Sequence, residues 1–363
     1  MQPAHTPSQR PPDARLLVVD AQGLMHHAAR TDLPLWLKPG DLLVANDAAT
    51  LPASLSGHHV PSGAAVEVRL AGHGSLAPDA VSEFKAIVFG AGDYRTRTEE
   101  RPLPPLMQPG DELVLGPLRA VVLRVQGHPR LIALSFRGTP DAIRAGIARH
   151  GRPIQYAHVA QPLELWDVWT RIAAVPAAFE PPSAGFLLDW NLLAQLHRCG
   201  VGFATLTHAA GISSTGDPQL DARLPFDEPY LLPAATVETI ERTRANHGRV
   251  VALGTTVVRA LEHAAARRGG LAAGADLATQ RIGPHTRLRV VDAIVTGNHE
   301  PGSSHYELLR AFAAGERLER ITAELEQRAY RTHEFGDSLL LMREFPTNAR
   351  TVRTAASRAC APV

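Results

Sequence analysis

The chain has 363 residues, 45% apolar and 20% charged, with a formal net charge of +1. These values fit a folded chain with room for two domains and exclude a fibrous or disordered one. No apolar run approaches the ~18 residues of a membrane span, and the two cysteines, Cys199 and Cys360, are too few for a disulfide framework or a cysteine-based zinc site.

The opening MQPAHTPSQRPPDA is polar and Pro-rich and has no apolar h-region. It predicts a disordered tail over 1–14 rather than a secretory signal, and the cytoplasm as compartment. Arg15–Asp20 and Asp41–Asn46 read as strands, the second launched by Pro39-Gly40. From about Val60 the helical periodicity stops. Ala65–Leu70, Phe84–Phe89, Glu112–Leu115, Ala120–Val125 and Leu131–Phe136 are short strands between Gly/Pro turns, which predicts a small antiparallel β-barrel over 60–138.

Helical spacing returns at Pro140–His150 and Leu187–Arg198, the latter stopped by Gly200. Strand Val201–Thr207, helix Ala235–His247 and strand Val250–Leu253 with its following helix come next. Strand Leu288–Val295, helices His305–Ala314 and Leu318–Tyr330, and strand Leu339–Met342 complete the series. This alternation predicts an α/β fold: one large, mostly parallel α/β domain over 15–59 and 139–345, interrupted by the barrel. Residues 346–363 are expected to form a flexible tail.

In such sheets ligands bind beyond the carboxyl ends of strands. Gly254-Thr255-Thr256 reads as a tight turn opening a helix, with backbone N–H groups and two hydroxyls at a positive helix end. The loop Thr296 to Ser304 is the richest in polar groups, and Ser304 with Glu307 reads as a capping box. His299 is either a catalytic imidazole or one bonded to backbone. Asn46-Asp47 and Phe335-Gly336-Asp337 read equally as turns. The pairs His26-His27 and His58-His59 look solvent-exposed. HExxH, CxxC, GxSxG and P-loop spacings are absent, so no metal is expected. Between Arg95 and Arg152 ten arginines face five acids, an excess that suits a phosphate backbone or merely reflects arginine-heavy usage, lysine occurring only at Lys38 and Lys85.

Together these segments resemble the S-adenosylmethionine:tRNA ribosyltransferase-isomerase family of queuosine biosynthesis. The likeness runs in order from about Asp32 to Met342. It is carried by Leu37 to Asp47, Pro52-Ala53, Pro182-Ser183-Ala184-Gly185, Gly254 to Glu262, Val291-Asp292-Ala293, the Thr296–Ser303 loop and Phe335-Gly336-Asp337. The resemblance implies a large α/β domain with an inserted barrel. It also implies S-adenosylmethionine as ribosyl-donor substrate and 7-aminomethyl-7-deazaguanine in tRNA as acceptor, with epoxyqueuosine, adenine and methionine as products. Carried over residue by residue, it makes His299 and Asp337 the candidates for proton transfer. Asn46, Asp47, Ser183, Gly185, Thr255, Thr256, Arg259, Asn298 and Ser303 become candidates for holding donor or acceptor.

The chain departs from the family where Ala49 and Ser54 replace arginines and Leu187 a histidine. His208 to Ser214 and Pro225 to Tyr230 replace two further motifs. A lost arginine removes a bidentate phosphate or carboxylate contact. Two other readings therefore stand beside the first: an S-adenosylmethionine-using paralogue with a small acceptor, and a non-catalytic binding protein on the same fold.

Overall fold

The computed structural model describes residues 1–344. Alternation along the central strands builds the core. Leu42, Val44, Val250 and Ala252 point to one face of the sheet, where Ile240, Leu261 and Ile321 of three helices cover them. Leu43, Ala45, Val251 and Leu253 point to the other, against Leu192 and Leu196. A strand apolar at every position can be buried only if both faces are covered, which is the parallel arrangement.

Nine strands form this sheet, in the order Gly274–Ala278, Glu228–Leu232, Gly202–His208, Leu42–Asn46, Val250–Leu253, Ala293–Gly297, Ser338–Met342, Arg15–Val19, Met25–Ala29. The four middle strands from Gly202–His208 to Ala293–Gly297 run parallel. Ser338–Met342 turns the direction and pairs in parallel with Arg15–Val19. Antiparallel strands close both edges. The α/β class is therefore as expected, with the parallel pairing concentrated at the centre.

The barrel is closed and has six strands, all antiparallel: Leu118–His128, Leu131–Phe136, Glu83–Phe89, Ala65–Gly72, Ser54–His59 and Glu112–Leu115. Leu55, Val68, Phe84, Leu113 and Leu134 fill it, and Ile143 and Ile147 of helix Pro140–His150 pack on the same cluster. Entry and exit lie side by side. The Ser54 N–H donates to the Arg152 carbonyl and the Arg152 N–H to the Ser54 carbonyl, each at 2.9 Å.

Several expectations need correction. The barrel's first strand is Ser54–His59, ahead of the boundary at 60, because Leu55 faces the barrel core while Ser56 and His58 face out. His59 is buried, with its ring nitrogens 2.8 Å from the Ser62 hydroxyl and 3.0 Å from the Asp111 carboxylate, so the pair His58-His59 is not uniformly exposed.

Residues 1–14 are tied down. Gln2–Pro3 pairs with Arg331–Thr332, Gln9 donates to the carbonyls of Asp167 and Trp169, and Arg10 donates to those of Phe186 and Leu188. These side chains satisfy loop carbonyls that no sheet partner reaches. The strand expected over 288–295 begins only at Ala293. Upstream of it, Glu262 accepts from the backbone N–H groups of Arg289, Val290 and Val291, a carboxylate taking the place of a neighbouring strand. The tail expected over 346–363 lies outside the described residues.

Candidate active site

Two adjoining cavities open beyond the carboxyl ends of the middle strands. The smaller, about 360 Å³, is lined by Glu180, Ser183, Thr255, Thr256, Arg259 and Thr296 among others. The larger, about 730 Å³, lies between the large domain and the barrel loop Arg97–Glu99. His299, Ser213 and His305 border both. Volumes in this range suit a nucleoside-sized ligand.

Gly254 ends strand Val250–Leu253 at φ 97° and begins helix Thr255–Ala266 with no capping side chain. A Cβ there would lie 3.3 Å from that of Ala184, so glycine allows the turn to meet the Ser183 loop closely. The uncapped helix end, with Gly254, Thr255 and Thr256, lines the smaller cavity. Thr256 is partly engaged, its Oγ1 receiving the Asn46 amide at 3.3 Å.

Glu180, which sequence reasoning passed over, is the chemically distinctive group. It is buried at the end of the loop before Pro181-Pro182, accepts from the Ser213 N–H at 3.1 Å and from the Tyr156 hydroxyl, and forms no salt bridge among the described residues. Burial without a cation pushes its pKa up to about 7, while those two hydrogen bonds hold it lower than burial alone would. Its signal in the sequence is an acid directly after the apolar run Val175 to Phe179, where a turn residue would ordinarily be neutral.

His299 is half-buried, with Nε2 at 2.8 Å from the Thr296 hydroxyl and its ring 4.8 Å from that of His305. Burial, then the neighbouring His305 and His333, lower its pKa well below the usual imidazole range. The ring is neutral at pH 7 and offers one donor and one acceptor. Asn298 borders the larger cavity. Its amide donates to the Arg331 carbonyl at 3.0 Å, and its buried Oδ1 has no partner among the described residues.

The other candidates serve the framework. Asp337 lies in neither cavity. Its carboxylate accepts from the backbone N–H groups of Arg15 and Arg331, both at 2.9 Å, and from both guanidinium groups. Although burial opposes it, those hydrogen bonds lower its pKa. The structure thus places Asp337, expected as a proton-transfer group, outside both cavity linings and in a saturated ion-pair network.

Asn46 clamps strand ends by accepting from the Ala48 and His208 N–H groups at 3.0 and 2.9 Å and donating to the His208 carbonyl. Asp47 accepts from the Thr207 hydroxyl at 2.6 Å. Gly185 packs on Thr170, whose Cγ2 would lie 2.9 Å from an added Cβ. Arg259 borders the smaller cavity but spends its guanidinium on Glu228 and the carbonyls of Phe226, Ala278 and Gln280. Ser303, not Ser304, caps helix Ser304–Leu309, receiving the Tyr306 N–H at 3.2 Å. With Tyr306 at the third helical position, the cap is a single bond and the expected capping box does not form.

The barrel meets the larger cavity through a tight seam. At Gly216, φ 66°, an added Cβ would lie 2.4 Å from the Thr98 carbonyl carbon. Arg95 and Arg97 beside it are exposed and paired with Asp93 and Glu99. Arg101 is buried, held by Glu67 and the carbonyls of Gly90 and Gly92, and so is no part of an exposed basic face.

Fold and cavities define an α/β protein with a nucleoside-sized polar site at its strand ends and an inserted barrel at the rim. The family model described as queuosine biosynthesis protein matches residues 1–341. The chain is 32% identical over 342 residues to the S-adenosylmethionine:tRNA ribosyltransferase-isomerase of Synechococcus elongatus, covering 91% of this chain and 89% of that one. It is 34% identical over 340 residues to the like-named protein of an Azoarcus species, covering 91% of each. A crystal structure of S-adenosylmethionine tRNA ribosyltransferase from Thermotoga maritima shares 25% identity at a TM-score of 0.48, covering 94% of this chain and 95% of that one. The chain belongs to the queuosine biosynthesis protein family.

Among the described residues, no helix is long and apolar enough to cross a membrane.

Proposed function

We propose that the protein is a cytoplasmic S-adenosylmethionine-dependent ribosyltransferase-isomerase. It transfers and isomerises the ribosyl group of S-adenosylmethionine onto 7-aminomethyl-7-deazaguanine in tRNA, forming epoxyqueuosine and releasing adenine and methionine. Family membership and the names of the relatives support this reading. The observation that carries it is the carboxylate of Glu180, buried without a cation among the described residues, in the same cavity as the Thr255-Thr256 turn.

The sulfonium of the donor acidifies the adjoining C5′ protons. A base that is half ionised near neutral pH, and desolvated, suits their removal. Glu180 takes the role the sequence assigned to Asp337. Neutral His299 holds or relays a proton at Nδ1, its Nε2 being engaged by Thr296. Thr255, Thr256 and Ser183 hold the donor, and the free Oδ1 of Asn298 receives a hydrogen bond from the acceptor in the larger cavity.

The test is chromatographic. The purified protein, given S-adenosylmethionine and tRNA bearing 7-aminomethyl-7-deazaguanine, releases adenine and methionine in equal amounts and converts the tRNA. One observation favours a small acceptor instead: Arg95 and Arg97 are already paired with acids of their own loop. Release of both products with a free deazaguanine or another small amine, and none with tRNA, would establish that second reading.

A further inference from the structure

Three metal-ligating side chains converge from two distant segments of the chain. His158 lies in the loop after helix Pro140–His150, and His333-Glu334 in the loop before strand Ser338–Met342. His158 Nε2 is 3.2 Å from Glu334 Oε2, and the rings of His158 and His333 stack with centroids 4.3 Å apart. One donor atom from each of the three falls within 4.8 Å of the others. All three border the larger cavity and lie outside the lining of the smaller one.

We propose that His158, His333 and Glu334 bind a divalent transition-metal ion of the zinc class, leaving one coordination position open to the larger cavity. A tetrahedral ion bonded at about 2.0–2.1 Å to nitrogen and oxygen sets its ligands roughly 3.3 Å apart. The His158–Glu334 edge already has that length. Only His333 has to close in, and its side chain is 37% exposed.

The donor set also has the right charge. No arginine or lysine forms a salt bridge with Glu334 among the described residues, and a second carboxylate, Glu300, has an oxygen 3.9 Å from His333 Nε2. Two imidazoles and one carboxylate with an open fourth position match the zinc and related N/O sites that take an oxygen ligand. On binding, the ion takes the place of the His158–Glu334 hydrogen bond, His158 ligating through Nε2 as the neutral imidazole with its proton on Nδ1. His158 is held in place from behind, its carbonyl oxygen lying 2.8 Å from His5 Nδ1. The spacing in sequence conceals the site, because 175 residues separate its two halves, from 158 to 333.

The test uses the full chain, stripped with a chelator and titrated with Co²⁺ without S-adenosylmethionine. The expected result is one equivalent bound with the visible absorption of a tetrahedral N/O site, displaced by Zn²⁺. His158→Ala and His333→Ala each remove a ligand and should weaken binding by more than the about 10–100-fold that loss of an outer-shell partner costs, and His58→Ala, on the exposed barrel rim, should leave it unchanged. Glu334→Gln preserves shape and keeps the test valid if an alanine variant misfolds by circular dichroism. Its Co²⁺ affinity should fall as well. Absence of stoichiometric binding by the wild-type chain, or equal binding by the folded Glu334→Gln variant, would overturn the proposal. Neither result bears on ribosyl transfer, which is read by product release.

Discussion

The hydroxyl of Tyr156 lies between two acceptors, the buried carboxylate of Glu180 and the carbonyl of Ser214 at 3.2 Å, and has one proton to give. While Glu180 is ionised the phenol donates to it. Once Glu180 gains a proton, the carboxyl donates to the phenol oxygen and the phenol turns to Ser214. Both protonation states are hydrogen-bonded without movement of the backbone, a property that suits a group that must take a proton and return it.

The proton-acceptor role of Glu180 gives a rate that depends on pH. A base acts when deprotonated, so product release should rise with pH through about 7 and level off above it. Glu180→Gln should lower kcat by roughly 10²–10⁴-fold with donor affinity retained. A variant with unchanged kcat ends the assignment.

Tyr156→Phe removes a hydrogen bond that favours the ionised carboxylate. The pKa of Glu180 should rise, and the ascending limb of the pH–rate profile should move to higher pH. A limb that stays in place or moves down contradicts the pairing.

Thr255→Val removes a hydroxyl from the smaller cavity without touching the Asn46 clamp on Thr256. Affinity for S-adenosylmethionine should fall by roughly 0.5–1.5 kcal/mol, the worth of one neutral hydrogen bond. Calorimetry on the folded variant reads this directly.

Arginines of the barrel divide by burial. Charge reversal at Arg95 and Arg97 should weaken tRNA binding and flatten its dependence on salt, leaving the donor affinity as it was. Arg101→Ala should act on folding instead. It removes one of the two arginines on the buried carboxylate of Glu67, which keeps Arg69, so the loss should stay below the about 3–5 kcal/mol of a fully broken buried pair. Thermal unfolding separates the two effects.

Asp337→Asn should likewise lower the unfolding temperature while kcat per folded molecule and its pH profile stay fixed. Its carboxylate ties Arg15 to Arg331 and touches neither cavity.

Periodicity made much of the fold legible. Val250–Leu253, Glu112–Leu115, Leu131–Phe136 and helix Pro140–His150 lie where the apolar spacing puts them. Strands such as Ser54–His59 and Gly274–Ala278 escaped because small and polar residues there carry little apolar alternation, and pairing alone makes them strands.

At the site, Gly254-Thr255-Thr256 and His299, which local pattern singles out, line the smaller cavity. Local pattern does not single out Glu180, because its perturbation comes from burial under residues far away in sequence. Asp337 misled for the opposite reason: its neighbours in sequence form a turn, while the arginine that fixes one side of it, Arg15, is 322 residues upstream.

At Gly216 the two domains touch main chain to main chain. Such a contact has no rotamers to absorb displacement, so it behaves as a rigid bearing rather than a cushion. The loop it belongs to also carries Ser213, whose N–H meets Glu180, and Ser214, whose carbonyl meets Tyr156. A side chain grafted at Gly216 would press on the Thr98 main chain and displace the loop that meets Glu180 and Tyr156.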